Sequence, residues 1–289
     1  TGVGAMALNH NVTGSSNTAN GYMALFSNLS GSANTAIGKW ALESNETGSY
    51  NSAVGHEALY SVTDESELVA VGYQALYNNN GGGYGEGHYN TAVGFQSMYS
   101  NDNGQGNTAI GYQSLYFNTS GVLNTANGYW ALYRNTTADR NTATGYKALT
   151  DNTTGRMNTA NGSETLLNNT TGSDNTGSGY AALNSNTTGI RNTAIGSEAL
   201  EGNTTGFNNS AHGYHSLYSN TSGSYNVGLG SNALYTNTTS SNNTSLGYSA
   251  GYNSTGANNI YLGYQAGNNV TSGSNNLIIG YDVDAPSAT

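Results

Sequence analysis

Hydrophobic and polar positions repeat along this chain with a spacing of 17 residues. Most repeats begin with an Asn-Thr-Ala triplet or a close variant of it. A glycine, an Ala-Leu pair and an Asn-Thr-Thr-Gly segment recur at fixed positions after the triplet in most repeats. With the asparagine of the triplet as position 0, the consensus is N-T-A-x-G-Y-x-A-L-Y-x-N-T-T-G-x-x. A constant period of this length predicts a repeat architecture whose units stack on their neighbours.

The repeat covers the whole chain, so we expect one solenoid domain over residues 1–289. Successive repeats are 17 residues apart except for one step of 22 and one of 16, and the chain begins inside a repeat. The irregular part is a degraded coil with an insertion at 61–89, and the coils at 243–289 resemble a cap. Position 0 is occupied by Asn17, Asn34, Asn51, Leu68, Asn90, Asn107, Asn124, Asn141, Asn158, Asn175, Asn192, Asn209, Asn226, Asn243, Asn259 and Asn276.

Two short runs in each repeat, T-A-x-G-Y and A-L-Y, favour β-strands that pair with the same run in the next coil. Glycine at +4 indicates a positive φ or close approach of a neighbouring strand, and glycine at +14 indicates a turn. The fold class predicted is therefore all-β, a parallel β-solenoid of about 17 coils stacked about 4.8 Å apart. A single helical turn over A-L-Y is the alternative, although four residues are too few for a stable helix.

Identical residues at one position would form ladders along the solenoid, with Ala at +2 and Leu at +8 buried. Asparagines at 0 and +11 would hydrogen-bond from coil to coil through their amides. The rival interpretation of +11 is N-glycosylation, as at Asn135-Thr136-Thr137. The representative ladder residues are Asn34, Gly38, Leu42, Asn107, Gly111, Leu115, Asn192, Gly196 and Leu200.

Position +3 is expected to face outward if Ala at +2 faces inward, because side chains alternate along a strand. An outward apolar column favours an interface, whereas a half-exposed strand with ordinary β-propensity is the alternative. Tyrosines at +5 and +9 would stack into aromatic ladders that cover the roll or hold sugars. The interface candidates are Ile37, Val54, Val71, Val93, Ile110, Ile195, Leu229 and Leu246.

Charge and composition exclude several classes of function. Six Lys and Arg stand against 16 Asp and Glu, for a net charge of -10, so nucleic-acid binding is not expected. No apolar run is long enough to span a bilayer, and we expect any signal or anchor to lie outside this segment. Cysteine is absent.

We find no catalytic motif and expect neither an enzyme nor a cofactor. Weak metal-ligand candidates in the irregular part are Asp64, Glu65, Glu67, Glu86 and His88, with a solvated loop as the alternative.

The motif N-[ST]-A-[IV]-G resembles the head repeats of YadA-type trimeric autotransporter adhesins. That resemblance implies a left-handed roll and a side-by-side homotrimer, although this repeat is longer and carries a second aromatic-rich limb. The final stretch, NNIYLGYQAG followed by NNLIIGYDVDAPSAT, is similar to the segment before the intramolecular chaperone of phage tail fibres. The motif occurs at 34–38, 51–55, 90–94, 107–111 and 192–196.

The expected function is a structural and adhesive fibre shaft, extracellular or on a virion, that attaches to a surface. A homotrimer and a cell-surface glycan or receptor are the expected partners. An ice-binding β-solenoid is one alternative, because threonine recurs at +1 and in the N-T-T segment. A self-assembling extracellular filament is the other, because uncapped solenoid ends can pair.

Overall fold

The computed structural model describes residues 1–81 and 86–283, and the chain divides into two compact units, Thr1–Thr144 and Gly145–Thr289. The regular elements of the described residues are short β-strands, with no helix. Each coil contributes one strand, at positions +1 to +3 of the repeat. The prediction of an all-β solenoid with a 17-residue repeat and about 16 to 17 coils is confirmed.

The first unit contains nine of the described strands and the second contains eight. The strands of the first unit are β1 (Gly2–Val3), β2 (Thr18–Asn20), β3 (Thr35–Ile37), β4 (Ser52–Val54), β5 (Val69–Val71), β6 (Thr91–Val93), β7 (Thr108–Ile110), β8 (Thr125–Asn127) and β9 (Thr142–Thr144). Those of the second are β10 (Thr159–Asn161), β11 (Thr176–Ser178), β12 (Thr193–Ile195), β13 (Ser210–His212), β14 (Val227–Leu229), β15 (Thr244–Leu246), β16 (Ile260–Leu262) and β17 (Leu277–Ile279).

Within each unit, every strand pairs in parallel with the next one along the chain. The register joins identical repeat positions, so that Ala36 lies beside Ala53. It holds across the 22-residue step, where Ala70 lies beside Ala92, and across the 16-residue step, where Ser245 lies beside Tyr261. The parallel stacking is confirmed, whereas handedness and trimeric packing stay predictions.

The second expected strand, over A-L-Y, does not form, and neither does the alternative helical turn. Residues at +6 and +8 have positive φ angles, 54° at Met23 and 53° at Leu25, which no β-strand contains. The backbone still bonds from coil to coil: the Met23 amide donates to the Ala5 carbonyl and the Leu25 amide to the Ala41 carbonyl, both at 3.0 Å. The segment is therefore a turn whose peptide groups point alternately toward the two neighbouring coils.

Glycine occurs at +4 and at +14 for two different structural reasons. At +4 the φ angle is positive, 132° at Gly111, and an added Cβ would lie 2.5 Å from the Gly128 carbonyl oxygen. At +14 the φ angle of Gly31 is not positive, but an added Cβ there would overlap the carbonyl oxygen of Gly48 in the next coil. Close backbone approach, rather than a positive φ, therefore favours glycine at Gly31.

The core is a narrow column of alanine and leucine. Alanines at +2 and +7 and leucines at +8 are fully buried, as at Ala36, Ala41 and Leu42. Burial of each leucine side chain contributes roughly 1.5 to 3 kcal/mol. Since one coil contains only one leucine and two alanines, the side chains can be buried only when neighbouring coils cover them.

One part of the second unit replaces this core with a tyrosine. Tyr261 stands at +2 and is fully buried, while Gly251 and Gly267 replace leucine at +8. A Cβ on Gly251 would lie 2.6 Å from the Tyr261 ring, and the tyrosine hydroxyl lies 2.8 Å from the Ser254 hydroxyl. The ring therefore occupies the space that two leucines fill elsewhere. Of the expected cap-like coils, residues 284–289 lie outside the described residues.

Candidate functional site

Two inner asparagine columns hold the coils together. At position 0, Asn34 Nδ2 donates to Gly48 O at 2.8 Å, and the backbone N of Asn34 donates to Asn17 Oδ1 at 2.9 Å. At +11, Asn28 Nδ2 donates to Asn11 Oδ1 at 2.7 Å and to Gly31 O at 3.0 Å. Each amide thus bonds its own coil and a neighbour, which satisfies backbone groups that the turns leave buried.

The representative ladder residues lie in these inner columns. The asparagines and leucines among them are fully buried, and the glycines have φ angles of 132° to 135°. They belong to the scaffold and present no side chain to solvent. These residues are Asn34, Asn107, Asn192, Leu42, Leu115, Leu200, Gly38, Gly111 and Gly196.

Apart from Asn11, which is exposed, the sequon asparagines at +11 are buried in the folded chain. Asn135 has no exposed surface, and its side chain donates to Asn118 Oδ1 at 2.9 Å and to Ala138 O at 3.0 Å. A glycan on this nitrogen would remove both contacts and would need space inside the solenoid. The geometry therefore disfavours the glycosylation alternative at this position.

The interface candidates at +3 lie on the outer face. Ile37 and Ile110 are each 41% exposed, and between them Val54, Val71 and Val93 continue the column in successive coils. The sequence thus placed these side chains on the correct face of the strand. In the second unit Ile195 and Leu246 are exposed and Leu229 is half-exposed. Their role as an interface stays a prediction.

Aromatic side chains form two outer columns, at +5 and +9. In the first unit Tyr60, Tyr77, Tyr99 and Tyr116 stack with ring centroids 5.1 Å apart and planes within 7°. In the second, Tyr235 and Tyr252 stack at 4.9 Å. The +5 rings are more exposed than those at +9, and several reach 40% or more. Burial, followed by nearby acidic and tyrosine side chains, raises the pKa of Tyr77.

A polar column at +6 was missed by the sequence analysis. Gln74 donates to Glu57 Oε2 at 2.6 Å, Gln96 to Gln74 at 2.8 Å and Gln113 to Gln96 at 2.9 Å. The Trp130 indole N–H then donates to Gln113 Oε1 at 2.9 Å. The signal was present, because glutamine recurs at one repeat position in three successive coils.

The degraded coil buries one of the metal-ligand candidates. Glu65 takes the +14 position of glycine and is only 1% exposed, and Val62 takes the +11 position of asparagine. Glu65 Oε2 accepts from Thr63 N at 3.0 Å, while Oε1 has no partner. Asn45 Oδ1, which would accept from an asparagine at 62, also has none. Burial raises the pKa of the Glu65 carboxyl, partly offset by the backbone N–H donors.

The other metal-ligand candidates do not converge on Glu65. Asp64 and Glu67 are exposed, and Glu86 is half-exposed. His88 Nδ1 accepts from Ser66 N at 3.0 Å, as the serine hydroxyl at +15 does in earlier coils. Within residues 1–81 and 86–283, no three His, Asp or Glu side chains form a group that could hold a metal ion. His88 thus continues a serine column.

A shallow depression of about 280 Å³ lies on the second unit, where both aromatic columns are interrupted. Glu164, Glu198 and Glu201 line it together with Asn184 and two tyrosines. Glu198 pairs with His215 at 2.7 Å. Burial, followed by the Glu198 charge, raises the pKa of the Glu201 carboxyl. Its lining is polar and acidic, and it contains no nucleophile paired with a base.

Comparison with known proteins leaves the family open. Neither the protein-family models nor the curated proteins searched contain a match to this chain. The adhesin and tail-fibre resemblance therefore stays a prediction. In the part of the chain that the structure describes, no helix is long and apolar enough to cross a membrane.

Proposed function

We propose that this chain is a structural and adhesive fibre shaft, extracellular or on a virion, in which the solenoid displays repeated contacts for a surface. The observation that supports it is that the inner and outer positions of the coil carry different types of residue. Asparagine, alanine, leucine and glycine are used inside, whereas +3 and +5 present apolar and aromatic side chains outside, as at Ile37 and Tyr112. Repeated weak contacts on one body bind a surface by avidity.

The +3 column supports a homotrimer as the assembled form. Five successive coils of the first unit carry Ile or Val there, and exposed apolar columns of this kind usually mark an interface. Closed symmetry would cover the column in every copy. The exposed +5 tyrosines would then remain for a cell-surface glycan or receptor, since their rings offer a flat apolar face and a hydroxyl.

Sedimentation of the chain at micromolar concentration tests the assembly. We expect a trimer, and we expect the double variant V54E/V71E to be monomeric, because two charges would be buried in the interface. Thr47→Glu is the matched control, since this exposed residue lies in the same region at +13 and the variant should stay trimeric. A monomeric wild type would refute the trimer, and open-ended polymers would favour the filament alternative.

Surface attachment needs its own measurement. The wild-type chain on beads should bind host cells or a glycan array, and binding should fall with the number of +5 tyrosines replaced by alanine. Absence of binding to any cell or glycan, by a chain that sediments as a trimer, would leave a shaft without adhesive function.

The outward threonine column at +1 favours ice binding as a second candidate. Thr108, Thr125 and Thr142 lie in successive coils, with side chains exposed or half-exposed. The neighbouring +3 column mixes Ile110, Asn127 and Thr144, so no second continuous threonine column flanks the first. Thermal hysteresis in cooled solutions distinguishes the two functions: activity would favour ice binding, and none would reject it.

A further inference from the structure

The +9 column of the first unit contains five tyrosines in successive coils. Tyr60, Tyr77, Tyr99 and Tyr116 stack at 5.1 Å with interplanar angles of 6° to 7°, and Tyr133 follows at 5.4 Å and 29°. Each ring therefore has a second phenol one coil away. The column continues across the 22-residue step, where Tyr77 and Tyr99 remain stacked.

These rings are placed where an oxidant in solution can reach them. All five are half-exposed, so each keeps one edge in solvent while the solenoid holds its neighbours in place. The chain contains no cysteine, and Met98, which lies next to Tyr99, is fully buried. Thiol and thioether groups that would otherwise consume an oxidant are therefore absent or shielded at the column.

We propose that the +9 tyrosine column is a site of oxidative coupling, in which a one-electron oxidant joins tyrosines of neighbouring coils as dityrosine. Each of two adjacent phenols loses one electron to the oxidant and one proton to water. The two phenoxyl radicals then form a carbon–carbon bond between the ring carbons beside the hydroxyls. The hydrogen on each of these carbons moves to its oxygen and restores the aromatic ring, so each linkage removes two hydrogens in total.

The stacked geometry makes this coupling intramolecular. The two rings lie one coil apart. Rotation about χ2 turns neighbouring ring edges toward each other, since terminal aromatic torsions are broad, and adjustment of χ1 brings the two ring carbons together. A linkage would tie two coils covalently and limit their separation on unfolding, as a cross-link between distant residues does. This consequence does not depend on whether the chain is a fibre shaft.

The test is oxidation of the dilute full chain with a ruthenium tris-bipyridyl photosensitiser, light and persulfate. Linkages are mapped by proteolysis and mass spectrometry, and dityrosine fluorescence gives the total. We expect a loss of two hydrogens per linkage and linkages between tyrosines 17 residues apart, together with a 22-residue linkage between Tyr77 and Tyr99. The linked chain should unfold at a higher urea concentration than the untreated chain.

The double variant Y77F/Y116F removes every neighbouring pair of the column while keeping a stacked ring, and circular dichroism verifies that it folds. Linkages within the column should be absent from its map and the fluorescence should fall, because four of the stacked tyrosine pairs contain Tyr77 or Tyr116.

The matched control is Y50F/Y89F, which also removes two tyrosines, both exposed and outside the column, at 67% and 60%. Its fluorescence and its map of the column should equal those of the wild type. The proposal is overturned if the wild type forms no dityrosine, if its linkages join only separate chains, or if none joins neighbours of the column.

Discussion

At the scale of single residues, the fold depends on backbone conformations that side chains rarely adopt. Three positions of the coil, +6, +8 and +16, have positive φ and in most coils are not glycine, as at Trp40, Leu42 and Tyr50. Such conformations cost free energy and persist only when surrounding contacts enforce them. The enforcing contacts are hydrogen bonds between coils, for example Tyr50 N to Ser32 O at 3.0 Å.

Glu65 shows what happens when one residue departs from its column. The +14 column otherwise contains mainly glycine, and the buried Glu65 carboxyl has an unpaired Oε1. In the same coil, Val62 replaces the +11 asparagine and leaves Asn45 Oδ1 without a donor. An unpaired buried polar group costs about 1 to 3 kcal/mol. The degraded coil is therefore a local weak point of the first unit.

We predict that Glu65 makes stability depend on pH. Its carboxyl pKa is raised above the ordinary 4.5, so the folded state holds the proton more tightly than the unfolded state. The contribution to stability is complete below pH 4.5 and is lost as pH rises through the raised pKa. Relative to Glu65→Gln, the wild type should become less stable as the pH rises from 4 to neutral.

Thermal unfolding midpoints of the wild type and Glu65→Gln at several pH values measure this effect. Glu67→Gln is the control, because this side chain is exposed and its charge is not among the causes of the raised Glu65 pKa. This variant should change the free energy of unfolding by no more than about 0.5 kcal/mol. A difference between wild type and Glu65→Gln that stays constant over this pH range would refute the prediction.

At the scale of one element, a coil is a small set of side chains that must match the coils above and below it. Gly177 stands at +2 where most coils have alanine, and an added Cβ would lie 2.5 Å from the Thr165 methyl group of the preceding coil. Gly228 faces the Ser216 hydroxyl in the same way. At these two places a larger residue at +7 is accommodated by a glycine at +2 of the next coil.

The tyrosine core at Tyr261 provides a test of this matching. Tyr261→Ala should lower stability by about 3 to 5 kcal/mol, because it leaves a cavity between Gly251 and Gly267. Adding Gly251→Leu and Gly267→Leu should recover much of the loss. Both glycines have φ angles of 61° to 67°, near the 51° to 55° of most leucines at this position.

Gly251→Leu alone should be destabilising, because its side chain would overlap the Tyr261 ring. Unfolding midpoints of the single, double and triple variants give the coupling between the sites. If the effects of the three substitutions on stability were additive, the size of the residue at 261 would not be coupled to the residues at 251 and 267, and the prediction would be wrong.

At the scale of the whole molecule, stability is expected to be a sum of coils and their interfaces. Each described strand of a unit pairs only with its neighbours in sequence, and every buried leucine is covered by adjacent coils. Such proteins tolerate a change in repeat number better than a change in repeat length. Because all coils share one register, removal of one complete coil would also leave the outer columns of side chains continuous.

Deletion of residues 107–123, which is one complete repeat, should therefore leave the fold intact. Gly106 would then precede Asn124, and the asparagine, alanine and leucine columns would remain in register. Deletion of 107–114 should disrupt the first unit, because eight missing residues place side chains of different positions beside each other. Far-UV circular dichroism and the cooperativity of thermal unfolding compare the two, and similar losses in both would refute the additive picture.

The sequence alone was enough to predict the period, the parallel in-register stacking and the inward positions of Ala36 and Leu42. Identical residues at a constant spacing can satisfy one another only when they lie one above the next. The tertiary structure decided the features that depend on contacts between coils: the single strand per coil, the positive φ of Leu42, the burial of Glu65 and the role of His88. No local pattern could reveal these, because an adjacent coil provides the contact that makes each conformation favourable.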